Sequence, residues 1–109
     1  MGLGPVKSKD FDGANVLGPV IVTADEIADI NQLTLTTRLN GEIKQQGSTR
    51  DLIFPIAHLL RYITAAMTLE PGDLIPTGTP AGVGPVNPGD RIQVEIDGLG
   101  VLENTFQPE

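Results

Sequence analysis

Apolar and polar side chains alternate over residues 33–39, so that Leu33, Leu35 and Leu39 fall on one face of an extended chain. Asn40-Gly41 follows, and residues 42–46 come after it. An Asn-Gly pair between two runs of this kind is the strongest short signal for a β-hairpin with a type I′ turn. We therefore predict that the two runs form adjacent antiparallel strands.

A second pair of runs has the same pattern near the end of the chain. Residues 91–96 place Ile92, Val94 and Ile96 on one face, and Asp97-Gly98 joins them to residues 101–106. The pattern predicts a second hairpin. Glu95 and Asp97 share its outer face, where a solvated strand is the simpler interpretation and a metal pair the alternative.

The spacing of apolar residues changes to three and four in the middle of the chain, which predicts one amphipathic helix over roughly 51–67. Pro55 falls in its first turn, where a missing N–H is tolerated. His58 is the only histidine of the chain and lies on this helix without a carboxylate at a neighbouring position. We interpret it as structural rather than catalytic.

Residues 20–22 (Val-Ile-Val) form a short apolar run that we expect to be buried. Thr23 and Glu26 then match a capping box, which predicts one or two helical turns from Ala24 to Asp29. Its acidic residues fit a solvated face better than a metal site. Together these elements predict a single, mostly-β domain over residues 1–109, with one amphipathic helix.

Composition and charge exclude several function classes. The 109 residues carry 14 acidic and 7 basic side chains, three Phe, one Tyr and no Trp. A net charge of -7 and so few aromatic rings argue against binding to nucleic acid or to anionic lipid. Cysteine is absent, and no apolar run is as long as a membrane helix. We expect a cytoplasmic protein that binds neither nucleic acid nor a membrane.

The most site-like stretch is the loop Leu74–Gly84, with Thr77-Gly78-Thr79-Pro80 at its centre. Ten of the twenty residues from 71 to 90 are Gly or Pro. Alternating rigid Pro, permissive Gly and short hydroxyl side chains can expose backbone N–H groups to an anion. The alternative is a tight connection between strands that binds nothing.

Lys9 is the second candidate. If residues 7–12 are extended, Lys7, Lys9 and Phe11 share one face, and a lysine is rarely buried unless it is paired or functional. A surface lysine whose head group reaches solvent is the alternative. Lys9 and the Thr77–Pro80 loop together indicate a pocket for a small anionic molecule, without specifying a reaction.

The order and spacing of short motifs resemble the fumarylacetoacetate hydrolase family from about Lys9 to Asn104. The motifs that carry the resemblance are Lys9-Asp-Phe-Asp-Gly13, Leu17-Gly-Pro19, Val22-Thr23 with Asp25-Glu26-Ile27, Asn40-Gly-Glu42, Asp51 with Ile53-Phe54, Thr68-Leu-Glu-Pro-Gly-Asp73, Thr77-Gly-Thr-Pro80, Gly82-Val-Gly84, Pro88-Gly-Asp90 and Val94-Glu-Ile-Asp-Gly-Leu-Gly100.

The resemblance implies a β-roll of mixed strands, usually dimeric, with a divalent Mg, Mn or Ca ion. It implies cleavage, isomerisation, decarboxylation or hydration of small 2-oxo acids, acylpyruvates or β-diketones. Lys9 aligns with the family's active-site lysine, which helps to hold the developing oxyanion. Gly78 and Thr79 align with the loop that binds the substrate, and Thr79 is a catalytic candidate with Lys9. Gln45 matches a family hairpin and is assigned no chemistry.

One departure changes the expectation. The family's metal carboxylates, and its His-Glu pair, lie upstream of its lysine, whereas only eight residues precede Lys9 here and none is acidic. We assign no metal ligand to this chain and expect it to be the C-terminal half of such a domain. It then needs an upstream half or a second copy as partner. The alternative is a non-catalytic β-roll subunit that serves only in assembly.

Overall fold

The computed structural model describes residues 11–108, so that Lys9 lies outside the described residues. Three short 3-10 helices cover Ala24–Glu26, Ile30–Gln32 and Thr49–Asp51. The regular elements are β1 (Thr34–Leu39), β2 (Glu42–Ser48), α1 (Ile56–Thr64), β3 (Arg91–Ile96) and β4 (Gly100–Thr105).

The four strands form one antiparallel sheet in the order β2-β1-β3-β4. Both predicted hairpins are present, β1 with β2 and β3 with β4. Asn40 and Gly41 have φ values of 51° and 86°, and two positive φ angles are what a type I′ turn requires. The mostly-β fold with one helix is therefore confirmed.

A β-bulge interrupts the pairing of β1 with β2. Thr37 pairs with Gln45 and Arg38 pairs with Ile43, which leaves Lys44 as the extra residue of β2. A bulge bends its strand and changes the direction of the side chains beside it. Gln45 follows this bulge, on the face that Leu35 and Thr37 share.

The helix is shorter than the apolar spacing predicted. α1 begins at Ile56, after Pro55, and ends at Thr64, so the predicted range of 51–67 was too long at both ends. A residue before proline is disfavoured in the helical region, so Phe54 cannot continue the helix backwards. Residues 52–54 instead form an irregular connection from the Thr49–Asp51 turn.

The predictions for residues 20–29 hold only in part. Residues 20–22 form no strand, and Val20 and Ile21 are 63% and 95% exposed. Apolar character alone predicted burial, but only Val22 is half-buried, in a shallow cleft that β3 and β4 also line. The Thr23 side chain caps no helix, and a single 3-10 turn ends at Glu26. Asp29 caps the next turn instead, by accepting a hydrogen bond of 2.9 Å from Asn31 N–H.

The described residues form no closed apolar core. Within residues 11–108, no hydrophobic side chain is buried, and the only buried residue is Thr36 at 6% exposure. Large apolar side chains such as Ile53 and Phe54 are 90% and 54% exposed. No helix in the described part of the chain is both long and apolar enough to cross a membrane.

Candidate functional site

The Thr77–Pro80 loop has no regular secondary structure and lies against β2. The Gln45 side chain holds it there. Its amide nitrogen Nε2 donates one hydrogen bond of 2.7 Å to Thr79 Oγ1 and another of 2.9 Å to the Pro80 carbonyl oxygen. One side chain of the sheet therefore fixes two consecutive residues of the loop.

Two glycines allow the loop and β2 to approach closely. Gly82 has a φ of 109°, and a Cβ atom built there would lie 1.9 Å from the Lys44 carbonyl oxygen. A Cβ atom on Gly47 would lie 3.2 Å from Pro80 Cβ. Any larger side chain at Gly82 would push the loop away from the bulge. These close approaches lie on either side of Gln45 along β2 and fix the distance between strand and loop.

Gly78 lies at an exposed point of the loop. Its φ is 104°, and a Cβ atom there would meet nothing within 4 Å, so glycine is needed for the backbone angle rather than for space. Within the described residues, neither Gly78 N–H nor Thr79 N–H donates a hydrogen bond. Both N–H groups are thus unpaired among the described residues, which is compatible with the anion-binding loop that the sequence predicts.

Two open clefts meet at Thr79. One, of about 400 Å³, runs along β2 past Gln45 to Gly82 and Val86. The other, of about 450 Å³, lies on the other side of the loop, where Thr77 and Gly78 face the connection before α1. Thr79 lines both clefts, which places its hydroxyl where a small ligand in either cleft could reach it.

The basic side chains at the first cleft already have acidic partners. Arg38 forms an ion pair with Glu95 across β1 and β3, and Lys44 Nζ lies 2.9 Å from Glu42 Oε1. Glu95 is thus engaged as part of a solvated strand face, in agreement with the simpler interpretation of the sequence. In the described part of the chain, the loop itself offers hydroxyl and backbone N–H donors rather than a free cation.

The remaining candidates lie away from this loop or outside the described residues. His58 stacks on Phe54 with ring centroids 4.8 Å apart, which fits the structural role that we expected. Among residues 11–108, no group of three His, Asp or Glu side chains could hold a metal ion. The described residues therefore do not by themselves fit a divalent metal, and we derive no step through one. Lys9 stays a prediction.

Gln45 is the residue of this site to which the sequence assigned no role. Its contact joins a strand to a loop more than thirty positions later, and strand alternation carries no information about such a contact. The bulge that precedes Gln45 could not be predicted from the sequence either. Residues 42–46 are almost entirely polar, and a polar strand specifies its register weakly.

The family profile described as fumarylacetoacetate (FAA) hydrolase C-terminal matches residues 1–107. The chain belongs to the fumarylacetoacetate hydrolase family. The bifunctional isomerase/decarboxylase of 4-hydroxyphenylacetate degradation from Salmonella dublin is 48% identical over 91% of the chain, which covers 23% of that relative. A maleylpyruvate hydrolase from Aquipseudomonas alcaligenes is 44% identical over 86% of the chain and is covered to 33%.

Solved structures of the family have the same fold. A fumarylacetoacetate hydrolase from Exiguobacterium antarcticum superposes with a TM-score of 0.89 at 43% identity, over 94% of this chain and 39% of its own. Maleylpyruvate hydrolase from Sphingobium sp. SYK-6, in complex with manganese(II) and pyruvate, gives a TM-score of 0.81 at 43% identity, over 84% and 35%. The chain thus spans between about a quarter and two fifths of these four relatives.

Proposed function

We propose that the chain supplies the substrate-binding loop, and with Lys9 the electrostatic catalyst, of a metal-dependent enzyme acting on a small 2-oxo acid or acylpyruvate. Residues 1–109 would form one part of the catalytic domain. C–C bond hydrolysis is the leading reaction. Isomerisation or decarboxylation of the same substrate class is nearly as well supported, because relatives are named isomerase/decarboxylase as well as hydrolase. Hydration is a further alternative that rests on the family resemblance alone.

The observation that carries the proposal is the geometry of the Thr77–Pro80 loop. The Thr79 hydroxyl and the N–H groups of Gly78 and Thr79 are three donors within two residues of a loop that β2 fixes in place. Pre-arranged donors of this kind stabilise negative charge without reorganisation during the reaction. They suit a 2-oxo acid, which has a carboxylate and develops negative charge on its oxo group.

The residues of this chain would stabilise the negative charge that develops on the substrate. All the candidate reactions pass through an enolate of the 2-oxo acid, which places negative charge on the oxo oxygen. The loop donors would hold the carboxylate or that oxygen, and the Lys9 ammonium would lie beside the developing charge. In hydrolysis, water would add to the other carbonyl carbon and the C–C bond would break. The acyl part would leave as a carboxylic acid, and the released enolate would take up a proton to become the 2-oxo acid.

A divalent ion, Mg²⁺, Mn²⁺ or Ca²⁺, would be held by carboxylates outside the described residues. The related maleylpyruvate hydrolase in complex with manganese(II) and pyruvate supports this proposal. When bound, such an ion polarises the oxo group of the substrate. The ligands would come from an upstream half of the domain, and a homodimer would be the assembled form.

A second candidate is a non-catalytic subunit that contributes only to assembly. The absence of a metal-ligand group among residues 11–108 favours it for this part of the chain taken alone. The two candidates differ in whether an anion binds at the Thr77–Pro80 loop, because an assembly subunit has no use for the free donors there.

Calorimetric titration tests the proposal. Oxalate, a mimic of the 2-oxo-acid enolate, is titrated into the protein in its full natural length in the presence of Mn²⁺ or Mg²⁺. We expect saturable binding that Lys9→Ala and Thr79→Val each weaken. No oxalate binding in either metal would contradict the enzymatic proposal and favour the assembly subunit.

A further inference from the structure

We propose that Gln45 is a positioning residue that fixes the direction of the Thr79 hydroxyl. Its amide makes Thr79 Oγ1 accept a hydrogen bond, which leaves the hydroxyl proton to be donated to the substrate. This inference rests on the proposed function, since it assumes that Thr79 binds the substrate. It adds a residue from β2 to a site that the sequence located only in the loop.

The Pro80 carbonyl determines which end of the Gln45 amide faces the loop. A carbonyl oxygen can only accept a hydrogen bond, so the atom 2.9 Å from it must be the amide nitrogen. The same nitrogen lies 2.7 Å from Thr79 Oγ1. An NH₂ group has two hydrogens, and these two contacts use both of them.

The hydroxyl hydrogen of Thr79 is then free to be donated to a ligand. A hydroxyl has one donor and two acceptor lone pairs, and one lone pair faces Gln45. Within residues 11–108, Thr79 Oγ1 donates no hydrogen bond to any acceptor. Without Gln45, the hydroxyl rotates freely and spends part of its time with a lone pair, not a proton, toward an anionic oxygen.

The surroundings hold Gln45 in this geometry. The bulge at Lys44 sets the direction of its side chain, and the side chain is half-buried. Gly82 and Gly47 keep the loop at a fixed distance, because a Cβ on either would press on the strand or on Pro80. The contact is therefore part of a fixed arrangement and not a chance meeting of two surface side chains.

Two substitutions of Gln45 test whether the hydrogen-bond donor of its side chain, and not only the length of the side chain, determines oxalate affinity. Gln45→Met keeps the length and removes the donor, and we expect oxalate affinity in the presence of Mn²⁺ to fall about tenfold, the effect of one neutral hydrogen bond. Gln45→Glu places a carboxylate there, which accepts the Thr79 proton and withdraws it from the ligand. We expect about a 100-fold loss at pH 7.5, because the hydrogen bond is now reversed and charged.

The pH dependence of the Glu variant provides a second readout. A protonated Glu carboxyl can donate to Thr79 Oγ1, as the glutamine does. We therefore expect the affinity of Gln45→Glu, divided by that of the wild type at the same pH, to rise as pH falls toward about 5, close to the usual Glu pKa. A ratio that stays constant from pH 7.5 to pH 5 contradicts the proposal.

A double-mutant cycle decides whether Gln45 acts through Thr79. In a Thr79→Val background, Gln45→Met should cause no further loss of oxalate affinity, because the hydroxyl that it orients is gone. The bond to the Pro80 carbonyl exists in both backgrounds. The same tenfold loss in both would show that Gln45 only holds the loop, and would overturn the inference.

Gln93→Met is the matched control. Gln93 lies on β3, and its Nε2 donates a hydrogen bond of 2.6 Å to Glu103 Oε2, away from the loop. We therefore expect the Gln93→Met variant to bind oxalate with wild-type affinity. If wild-type protein binds oxalate and Thr79→Val weakens binding while Gln45→Met does not, the inference fails and the proposed function stands. If wild-type protein does not bind oxalate, both fail.

Discussion

The sheet and the segments beside it differ in where their partners lie. Every strand pairs within residues 34–105, and cross-strand side chains such as Arg38 and Glu95 find each other there. Ile21, Ile53 and Tyr62, by contrast, are 95%, 90% and 77% exposed. The strand pairs and this ion pair thus have both partners among the described residues, whereas the apolar side chains of the flanking segments are exposed there. Among the described residues, these apolar side chains therefore lack the cover that the sheet gives to its own side chains.

The candidate site resembles the sheet in this respect, because the contacts that hold it lie among the described residues. The Thr77–Pro80 loop is fixed by β2 through Gln45 and two close glycine contacts, none of which needs a further segment. The geometry of the proposed substrate site can therefore be tested by changes inside the described residues.

The largest effect should come from Gly82→Ala. The new Cβ would lie 1.9 Å from the Lys44 carbonyl at a φ of 109°, so the loop must leave the strand. We expect a loss of about 2–4 kcal/mol in the free energy of unfolding, the upper range for point substitutions, and at least a 100-fold loss of oxalate affinity. Denaturant unfolding and calorimetry measure the two.

Gly84→Ala is its control, because a Cβ there meets nothing within 4 Å and its φ is not positive. We expect stability within about 0.5 kcal/mol of wild type. Equal effects of the two substitutions would mean that the loop is not seated on β2 as described.

Thr79→Val removes the hydroxyl and keeps the shape of the side chain. Loss of one donor to a developing oxyanion costs about 100-fold in kcat, and we expect a loss of that size with maleylpyruvate as the test substrate. Thr79→Ser retains the hydroxyl and should stay within tenfold of wild type. A Val variant as active as the Ser variant would show that the hydroxyl does not touch the reacting group.

Ile21→Ala probes the uncovered side of the comparison. If a partner segment covers Ile21 in the full-length protein, the substitution should lower the free energy of unfolding by about 2 kcal/mol, as in other protein cores. Ile92→Ala, on the half-buried face of β3, gives a reference of similar size. A change at Ile21 below about 0.5 kcal/mol, the usual size at exposed positions, would show that nothing covers it.

The same division explains what the sequence could predict. The hairpins follow from local signals, because Asn40-Gly41 and Asp97-Gly98 set the turns and alternation sets the faces. The helix begins only after Pro55, because the residue before a proline is disfavoured in the helical region. The prediction relied on apolar spacing and did not take this rule into account. The predicted burial of residues 20–22 does not hold for Val20 and Ile21, because an apolar run alone does not show which element would cover it. The loop was located by its composition, but Gln45 was not, since its contact is purely tertiary.

The smallest effect concerns acid stability and Asp90. Asn87 N–H and the Asn40 amide each donate a hydrogen bond of 2.8 Å to its carboxylate, and these bonds hold the pKa of Asp90 below its usual value. The Asn40 side chain also accepts a hydrogen bond of 2.9 Å from Arg91 N–H. The carboxylate thereby ties the first hairpin turn to the start of β3, at the far end of the sheet from the uncovered segments.

Because the folded pKa is lower than the unfolded one, the unfolded state binds more protons between the two values, and stability rises with pH there. The contribution is complete above the usual Asp pKa of about 4 and is lost as pH falls through the lowered folded pKa. Asp90→Asn should thus be less stable than wild type at pH 7, and the gap should narrow below pH 4. Asn40→Gly keeps the positive φ of the turn and removes one donor, so it should reduce the same acid dependence. Unfolding curves at pH 7 and pH 3 measure both variants, and a gap independent of pH would show that the carboxylate charge does not stabilise this junction.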